Sequence, residues 1–508
     1  MSEALVYLIG AGPGDVGLIT VKGLDCIRRA DVIVYDHLID ERLLGEAPPT
    51  AEIIYAGKSF KAHAMEQHEI NQLLVDKAHE GKTVVRLKGA DPLVLGRGGE
   101  EAEALAAESI PFEIVPGISS AIGVPAYAGI PVTHRGIASS FAVVTGHEDP
   151  GKPESSINWA NLATGVDTLI FLMGMGNLPK IAEKLVECGR PPATPVALIR
   201  HGTTLQQQTL TGTLQDIAAR AEEAGFEPPV VIVVGEVVNL REHLAWFEKR
   251  PLFGKRILVT RSRAQASVLA GMLVERGAEA VELPTIAVKD LADTAELDRA
   301  ILTLHDYDWV VFTSANGVEV VWQRVLTLSR DARSFAGTRI CAIGPATAAA
   351  LEERGLHPDM TPEEYTSEGI LQSLAEAGIA GSRVLLLRAD IAPMDLVEGL
   401  AGLGAEPRHV TAYHTVLPDE DVAAARKLLS DGVIDLITFT SSSTVTNLRA
   451  IAADDWNAVK MATIACIGPR TAATARELGL TPQVVATQHT IPGLVEAIER
   501  YYRNGEVG

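Results

Sequence analysis

The chain has 508 residues, with 44 Lys plus Arg against 65 Asp plus Glu, a formal charge of −21. Such an acidic balance argues against a general nucleic-acid or anionic-membrane binder, which would need clustered cations. With 47% hydrophobic residues, 21% charged residues and a mean hydropathy of +0.16, there is apolar material for several cores, and the length predicts about three to four domains.

The first β-branched run, 5–9, begins so early that a basic region, an apolar stretch and a cleavage site have no room before it. No apolar run approaches the ~18 residues of a membrane span. Cys26, Cys188, Cys341 and Cys466 lie far apart, without CxxC or Cys/His metal spacing. His63 and His68 do not share a helical face. These features predict a reduced, cytoplasmic protein with no membrane partner, no disulfide framework and no metal site.

Further short runs follow at 32–35, 83–87, 112–115, 141–145, 168–172 and 230–234, separated by amphipathic stretches such as 67–80 and 178–187. This alternation predicts an α/β fold. Near 246–256, WFEKRPLFGKR gathers Pro251, Gly254 and basic residues before a new strand at 257–260. It predicts a domain over 1–248, a linker over 249–255 and a second domain over 256–508.

The second half repeats itself. DWVVFTSANGVEVV at 308–321 matches DLITFTSSSTVTNL at 435–448, and CAIGPATAAALEERGL at 341–356 matches CIGPRTAATARELGL at 466–480. Each copy reads as a strand ending in Thr-Ser, a helix, a strand ending in Ile-Gly-Pro and a Thr-capped helix. Two similar α/β lobes are expected, with a binding site between them beside the carboxyl ends of their strands.

In the first half, GAGPGD at 10–15 follows a strand directly. A dinucleotide fingerprint would need glycine where Asp15 stands, and Pro13 removes a backbone donor, so this is a poor nicotinamide site. Taken alone it reads equally as a tight strand-to-helix turn. The same half then carries, in order, Tyr35-Asp36, Gly57-Lys58, RLKGADPLVLGRGGEE at 86–101, PGISSAIGVPAYAGIPVTHRG at 116–136 and FLMGM at 171–175.

Over residues 4–247 these motifs resemble the tetrapyrrole methylase family, most closely its uroporphyrinogen-III C-methyltransferases. The resemblance implies two α/β lobes around a trough that holds S-adenosylmethionine, lined by Pro13, Gly89, Ala90, Asp91, Val94, Ser119, Ser120, Met173 and Gly202. The family commonly has Gly where Ala90 stands and Thr where Ser119 stands. Small residues there permit close backbone approach, Asp91 offers acceptors to a ribose or amine, and Met173 offers soft contact to an adenine.

The implied reaction is methyl transfer, twice, to ring carbons of uroporphyrinogen III, giving precorrin-2, with Asp36 as proton acceptor and Lys58 as donor. Taken alone, Asp36 reads as readily as a helix cap or solvated carboxylate. The octacarboxylate substrate explains basic residues gathered near the motifs, namely Lys58, Lys61, Arg86, Lys88, Arg97, His134 and Arg135. Of these, Arg97 and Arg135 are the expected substrate ligands. The family also implies a homodimer through this half.

By itself the duplicated half reads as a binding module or an oligomerisation domain. Its motifs ILVTRSRAQA at 257–266, TSEGIL at 366–371, VLLLR at 384–388 and VTAYHTV at 410–416, with the repeat itself, resemble uroporphyrinogen-III synthase over 252–500. That resemblance implies flavodoxin-like parallel lobes that cyclise hydroxymethylbilane with inversion of the last ring. Ser314, Asn316, Thr347, Ser441, Ser442 and Thr471 would offer hydroxyls and helix N-termini to the substrate, and Tyr413 would assist hydroxyl departure. Tyr413 stands equally as a core phenol, the two threonines as N-cap or first-turn residues, and Arg261 as a carboxylate clamp or a surface pair. The alternative is a methylase of another tetrapyrrole fused to a non-catalytic tetrapyrrole-binding module. The start and end of the chain leave no dehydrogenase or ferrochelatase module expected.

Overall fold

The computed structural model describes residues 5–57, 65–146, 157–260, 263–283, 285, 287–416, 427–452 and 455–505. The chain divides into two compact units, Met1–Lys255 with Leu273–Glu279, and Arg256–Met272 with Ala280–Gly508. Residues 249–255, expected as a linker, belong to the first unit: Leu252 is fully buried and the Phe253 ring stands edge-on to Phe247.

The first unit holds two five-stranded sheets. Strands β1 (Leu5–Gly10), β2 (Val32–Tyr35), β3 (Glu52–Tyr55), β4 (Thr83–Lys88) and β5 (Phe112–Val115) lie in the order β3-β2-β4-β1-β5, all parallel. A parallel sheet covered on both faces needs near-continuous apolar strands, and Val32, Ile33, Val34, Val84, Val85 and Leu87 are fully buried. The second sheet comprises β6 (Phe141–Thr145), β7 (Thr168–Leu172), β8 (Pro195–Arg200), β9 (Gln208–Thr213) and β10 (Val230–Val234), in the order β6-β7-β10-β8-β9. Only β6 and β7 run parallel. Helix Leu178–Glu187 packs on it through Leu178, Ile181, Ala182 and Leu185, the spacing of a single helical face. A further cluster joins the two lobes: Ala121 and Val124 of helix Ser120–Tyr127 pack against Ile170, Leu172, Ala197 and Val233.

The second unit also has two sheets. One orders β11 (Arg256–Val259), β12 (Glu279–Glu282), β18 (Leu436–Phe439), β19 (Thr463–Cys466) and β20 (Pro482–Val485) as β12-β11-β18-β19-β20. By position within the lobe this is the doubly wound order 2-1-3-4-5, whose switch point lies between β11 and β18. The other lobe contains β13 (Ala287–Lys289), β14 (Trp309–Phe312), β15 (Arg339–Ala342), β16 (Arg383–Ala389) and β17 (Glu406–Val416), ordered β13-β17-β16-β14-β15.

Here β16 and β17 take the places of β11 and β12, and β14 and β15 those of β18 and β19. Met360 bridges in parallel to Cys341 on the far side of β15, where β20 would lie. The two lobes therefore share one pattern, permuted: the chain begins one lobe, builds the whole of the other, then returns. Antiparallel β13 caps the outer edge of β17. Each expected repeat falls within a single lobe. No described helix is long and apolar enough to cross a membrane.

Candidate functional site

Three loops at the carboxyl ends of β1, β4 and β5 meet so closely that side chains are excluded. A Cβ on Gly10 would lie 2.5 Å from the Ala90 carbonyl oxygen and 2.6 Å from the Gly117 Cα. Gly12 and Ala90 exchange backbone hydrogen bonds of 3.2 and 2.7 Å. The Asp91 carboxylate fastens the arrangement, accepting from the N–H groups of Leu93 (2.8 Å) and Val94 (3.1 Å) through one oxygen and from Gly117 (3.1 Å) through the other. Expected as a ligand to ribose or amine, Asp91 thus already serves as the clamp between two loops.

Ser119 caps helix Ser120–Tyr127 by accepting from the Ala121 N–H. Pro13 packs on the same helix at Gly123, where a Cβ would stand 3.0 Å from the proline ring. From the second lobe, Gly202 presses its backbone on this helix, leaving 2.3 Å between its would-be Cβ and Val124. The loops carrying the expected cofactor residues therefore converge. Val94 and Met173 expose apolar side chains, as do Ile118, just before the Ser119 cap, and Ile122, in the first turn of its helix. Backbone polar groups beside open apolar surface suit a nucleoside with a thioether arm.

Backbone strain marks the same loops. Eight described non-glycine residues have positive φ, and six stand here: Ala90 (60°), Leu95 (55°), Arg97 (60°), Met173 (58°), His201 (47°) and Thr203 (68°). Each such residue costs about 1–3 kcal/mol and persists only where its surroundings over-determine it, a condition that gathers at ligand sites.

Asp36 follows β2. One of its oxygens accepts from the Leu38 N–H at 3.1 Å, and the other lies 3.5 Å from an Arg86 nitrogen. Arg86 and Lys88, expected to meet substrate carboxylates, are instead buried, only 3% and 4% exposed. Both donate to one oxygen of fully buried Glu101, at 3.1 and 2.7 Å, and Gln67 adds a third bond at 3.2 Å. Two cations sharing one fixed carboxylate, with Asp36 at the margin, form a neutral internal cluster and are not free clamps. Burial pushes the Lys88 ammonium below its usual range. The GGEE end of the 86–101 motif was the available sign of Glu101.

Arg97 begins helix Gly98–Ala107, and its fork is held by Glu100 at 2.7–2.8 Å, so a substrate carboxylate would have to displace that partner. Arg135 is exposed at the tip of the turn bridged by His134 and Ala138. Lys58, Lys61 and Arg261 lie outside the described residues. Ser120, the first residue of its helix, is half-buried.

In the second unit, Ser314 caps helix Ala315–Thr327, accepting from the Gly317 N–H at 3.0 Å, and its hydroxyl stands 3.1 Å from that of Tyr413. Tyr413 is 5% exposed, and burial raises its phenol above the usual value. The core-phenol reading of Tyr413 is what the structure describes, with its hydroxyl meeting Ser314 beyond the carboxyl end of β14. Beside it, Asp390 pairs with His414 Nδ1 at 2.9 Å and accepts from the Thr415 N–H, contacts that lower its carboxyl pKa. The motif at 410–416 displayed His414 without naming a partner.

The helices after β15 and β19 are capped by Gly344 and Gly468, not by threonine. Thr347 and Thr471 are third helical residues and are buried, which corrects the Thr-cap expectation, agrees with the first-turn alternative and leaves backbone N–H groups as the outward donors of these termini. Tyr365 stands over Gly344 and His489 over Gly468. In the other lobe, Ser441 and Thr444 bond reciprocally at the start of helix Ser442–Ala452, and Thr474 donates to Ser442 at 2.9 Å. Asn316 is half-buried in the first turn of its helix.

The first unit is therefore a two-lobed α/β protein whose glycine-rich loops converge at the carboxyl ends of β1, β4 and β5, and the second is a pair of permuted doubly wound lobes with polar helix starts at their carboxyl edges. Residues 5–218 match the tetrapyrrole (corrin/porphyrin) methylase family and residues 267–496 match uroporphyrinogen-III synthase HemD. The porphyrin biosynthesis protein HemD of Ruminiclostridium josui is 38% identical over 98% of both chains, and the chain belongs to that family of fused proteins. The uroporphyrinogen-III C-methyltransferase of Bacillus subtilis is 42% identical over 70% of this chain and 72% of its own. A crystal structure of uroporphyrin-III C-methyltransferase from Thermus thermophilus with S-adenosylhomocysteine is 39% identical over 46% of this chain and 99% of that one, with a TM-score of 0.40.

Proposed function

We propose that this chain carries two consecutive steps of tetrapyrrole synthesis: cyclisation of hydroxymethylbilane to uroporphyrinogen III in its second unit, and double C-methylation of that product to precorrin-2 in its first. The observation that carries this reading is the tandem match of one chain to a uroporphyrinogen-III synthase and to the methylase family, whose C-methyltransferase members among the relatives are named for that same tetrapyrrole. A non-catalytic second unit would leave the match to a uroporphyrinogen-III synthase without a use.

S-adenosylmethionine supplies the methyl group as a cationic sulfonium when bound. The chain's own part is to hold it against the loops at 10–15, 89–97, 116–120, 173 and 201–204, and to orient a pyrrole carbon toward it. As the carbon–carbon bond forms and the sulfur–carbon bond breaks, the ring gives up a proton, which Asp36 accepts; Arg86 holds that carboxylate in place. Lys58 is the proton donor of this reading, and Arg97 and Arg135 are its substrate ligands.

In the second unit, the substrate hydroxyl leaves as water while the linear chain is held in a loop. The helix starts at Ser314, Asn316, Ser441 and Ser442, the N–H groups near Thr347 and Thr471, and Arg261 hold carboxylates. The Tyr413–Ser314 pair assists the departure. The four cysteines are free, which accords with a cytoplasmic setting. A homodimer through the first unit completes the reading.

Asp36→Ala tests it. Methylation is expected to fall by at least ~100-fold, the scale of a general base, while ring closure by the same chain is retained. Single-turnover methylation at the wild-type rate would remove Asp36 from the mechanism.

A further inference from the structure

In the first unit, a series of hydrogen bonds closes on itself behind the trough. The Tyr127 hydroxyl donates to Asp15 Oδ2 at 2.7 Å, the Asp15 N–H donates to Thr203 Oγ1 at 3.1 Å, and the Thr203 N–H donates to Gln207 Oε1 at 2.8 Å. Gln207 Nε2 then donates to Glu248 Oε1 at 2.9 Å. Arg241 spans the remaining gap, one arm on Glu248 Oε2 and the other on the carbonyl of Ala128, the residue after Tyr127.

Four segments distant in sequence are joined in this ring: the glycine-rich turn, helix Ser120–Tyr127, the loop after β8 and the stretch 241–248. Aromatic side chains pack against the outer side of the ring. Trp246 Nε1 donates to the Ala126 carbonyl at 3.0 Å, and Tyr127 meets Trp246 and Phe247 edge-on at 5.1 and 4.7 Å. The Arg250 guanidinium lies over the Trp246 ring at 4.7 Å. Gly129, at φ 73°, is pressed so closely that a Cβ would stand 2.4 Å from the Leu244 carbonyl.

Two of the joined segments carry Pro13 and Gly202, and the helix starts at Ser119 and Ser120. Thr203 and Gln207 are 2% and 3% exposed, so solvent does not compete for their bonds. Thr203 is also left-handed, and its N–H and hydroxyl are both engaged by the ring, which supplies the over-determination that such a backbone needs.

We propose that Tyr127, Gln207, Glu248 and Arg241 are positioning residues that set the glycine-rich turn against the 201–204 loop and so preorganise the trough for S-adenosylmethionine. The proposal rests on the assignment of the trough made above. None of the four side chains touches the ligand; each acts through the backbone that does. If the ring is opened, the loops must be ordered on binding, and affinity falls while the chemical step in the filled site is spared.

The test is calorimetric titration of the full chain with S-adenosylhomocysteine, beside steady-state methylation and thermal melting. Tyr127→Phe, which deletes one hydroxyl, and Glu248→Ala are each expected to weaken binding ~10-fold and to raise KM for S-adenosylmethionine equally, with kcat within ~2-fold. Glu248→Gln, which keeps one acceptor oxygen for Gln207 but sets an amide NH2 against the Arg241 guanidinium, is expected to fall between the wild type and Glu248→Ala in affinity. Val196→Ala, a core change outside the ring, is expected to lower the melting temperature without altering affinity. Wild-type affinity in Tyr127→Phe and Glu248→Ala, or an affinity loss in Val196→Ala at equal destabilisation, would overturn the proposal. A wild-type chain that binds no S-adenosylhomocysteine would overturn the trough assignment instead.

Discussion

Ala90 shows how much a single residue's backbone can disclose. It sits at φ 60° and is bonded on both sides to Gly12. A left-handed conformation costs a non-glycine residue roughly 1–2 kcal/mol, and glycine recovers this at the expense of about 0.4–1 kcal/mol of unfolded-chain entropy. Ala90→Gly is therefore expected to stabilise the first unit by ~0.5–1 kcal/mol, read as a rise in its denaturant midpoint; a fall would mean that the loop is not strained. The resemblance to the methylase family already implied a glycine at this position. The pairing of Arg86 and Lys88 with Glu101 was not, because burial and partnership of a charge depend on the fold around it.

The titration of Tyr127 also belongs to this scale. Burial, and then the hydrogen bond to Asp15, raise its phenol above the ordinary value. A raised value means that the folded state holds the proton more tightly than the unfolded chain. This contribution is intact below the unfolded value of about 10 and is lost as pH rises past it. Alkaline titration of tyrosinate absorbance is expected to lose a late-ionising group in Tyr127→Phe. If the variant instead lost an early one, Tyr127 would not be the buried partner of Asp15.

At the scale of elements, helix starts bear most of the chemistry proposed for the second unit. Ser314 joins two duties, capping helix Ala315–Thr327 and meeting the Tyr413 hydroxyl. Ser314→Ala forfeits about 1 kcal/mol of capping and leaves a buried hydroxyl without this partner, at a further ~1–2 kcal/mol. Tyr413→Phe removes only the phenolic side and, on the proposed role of this hydroxyl, is expected to slow uroporphyrinogen III formation in a rate assay. The double variant is expected to be less destabilised than the sum of the single changes, by ~0.5–2 kcal/mol in chemical denaturation, and simple additivity would mean that the two hydroxyls do not interact.

The Thr-Ser strand ends and their helices could be read from the repeat, since local capping chemistry is encoded by near neighbours. The Gly344 and Gly468 caps were misassigned to threonine because Pro345 and Pro469 occupy the first helical position, which sets the cap at the glycine before each proline, three residues ahead of Thr347 and Thr471. Short β3 and β9 went unread, since half-exposed strands such as Glu52–Tyr55 and Gln208–Thr213 lack a continuous apolar run.

Across the whole molecule, the two-part organisation and the α/β class were legible because long buried strands and an internal repeat are strong periodic signals. The permuted order of the second unit was not, since strand neighbours across more than 100 residues leave no local trace; β11 beside β18 is the instance. The central claim is that one chain makes a tetrapyrrole and then methylates it. Its most direct test supplies fresh hydroxymethylbilane with and without S-adenosylmethionine and identifies the product by mass and isomer. Dimethylated type III product with S-adenosylmethionine, and unmethylated uroporphyrinogen III without it, are the predicted results. Type I isomer alone, the product of spontaneous closure, would contradict the claim.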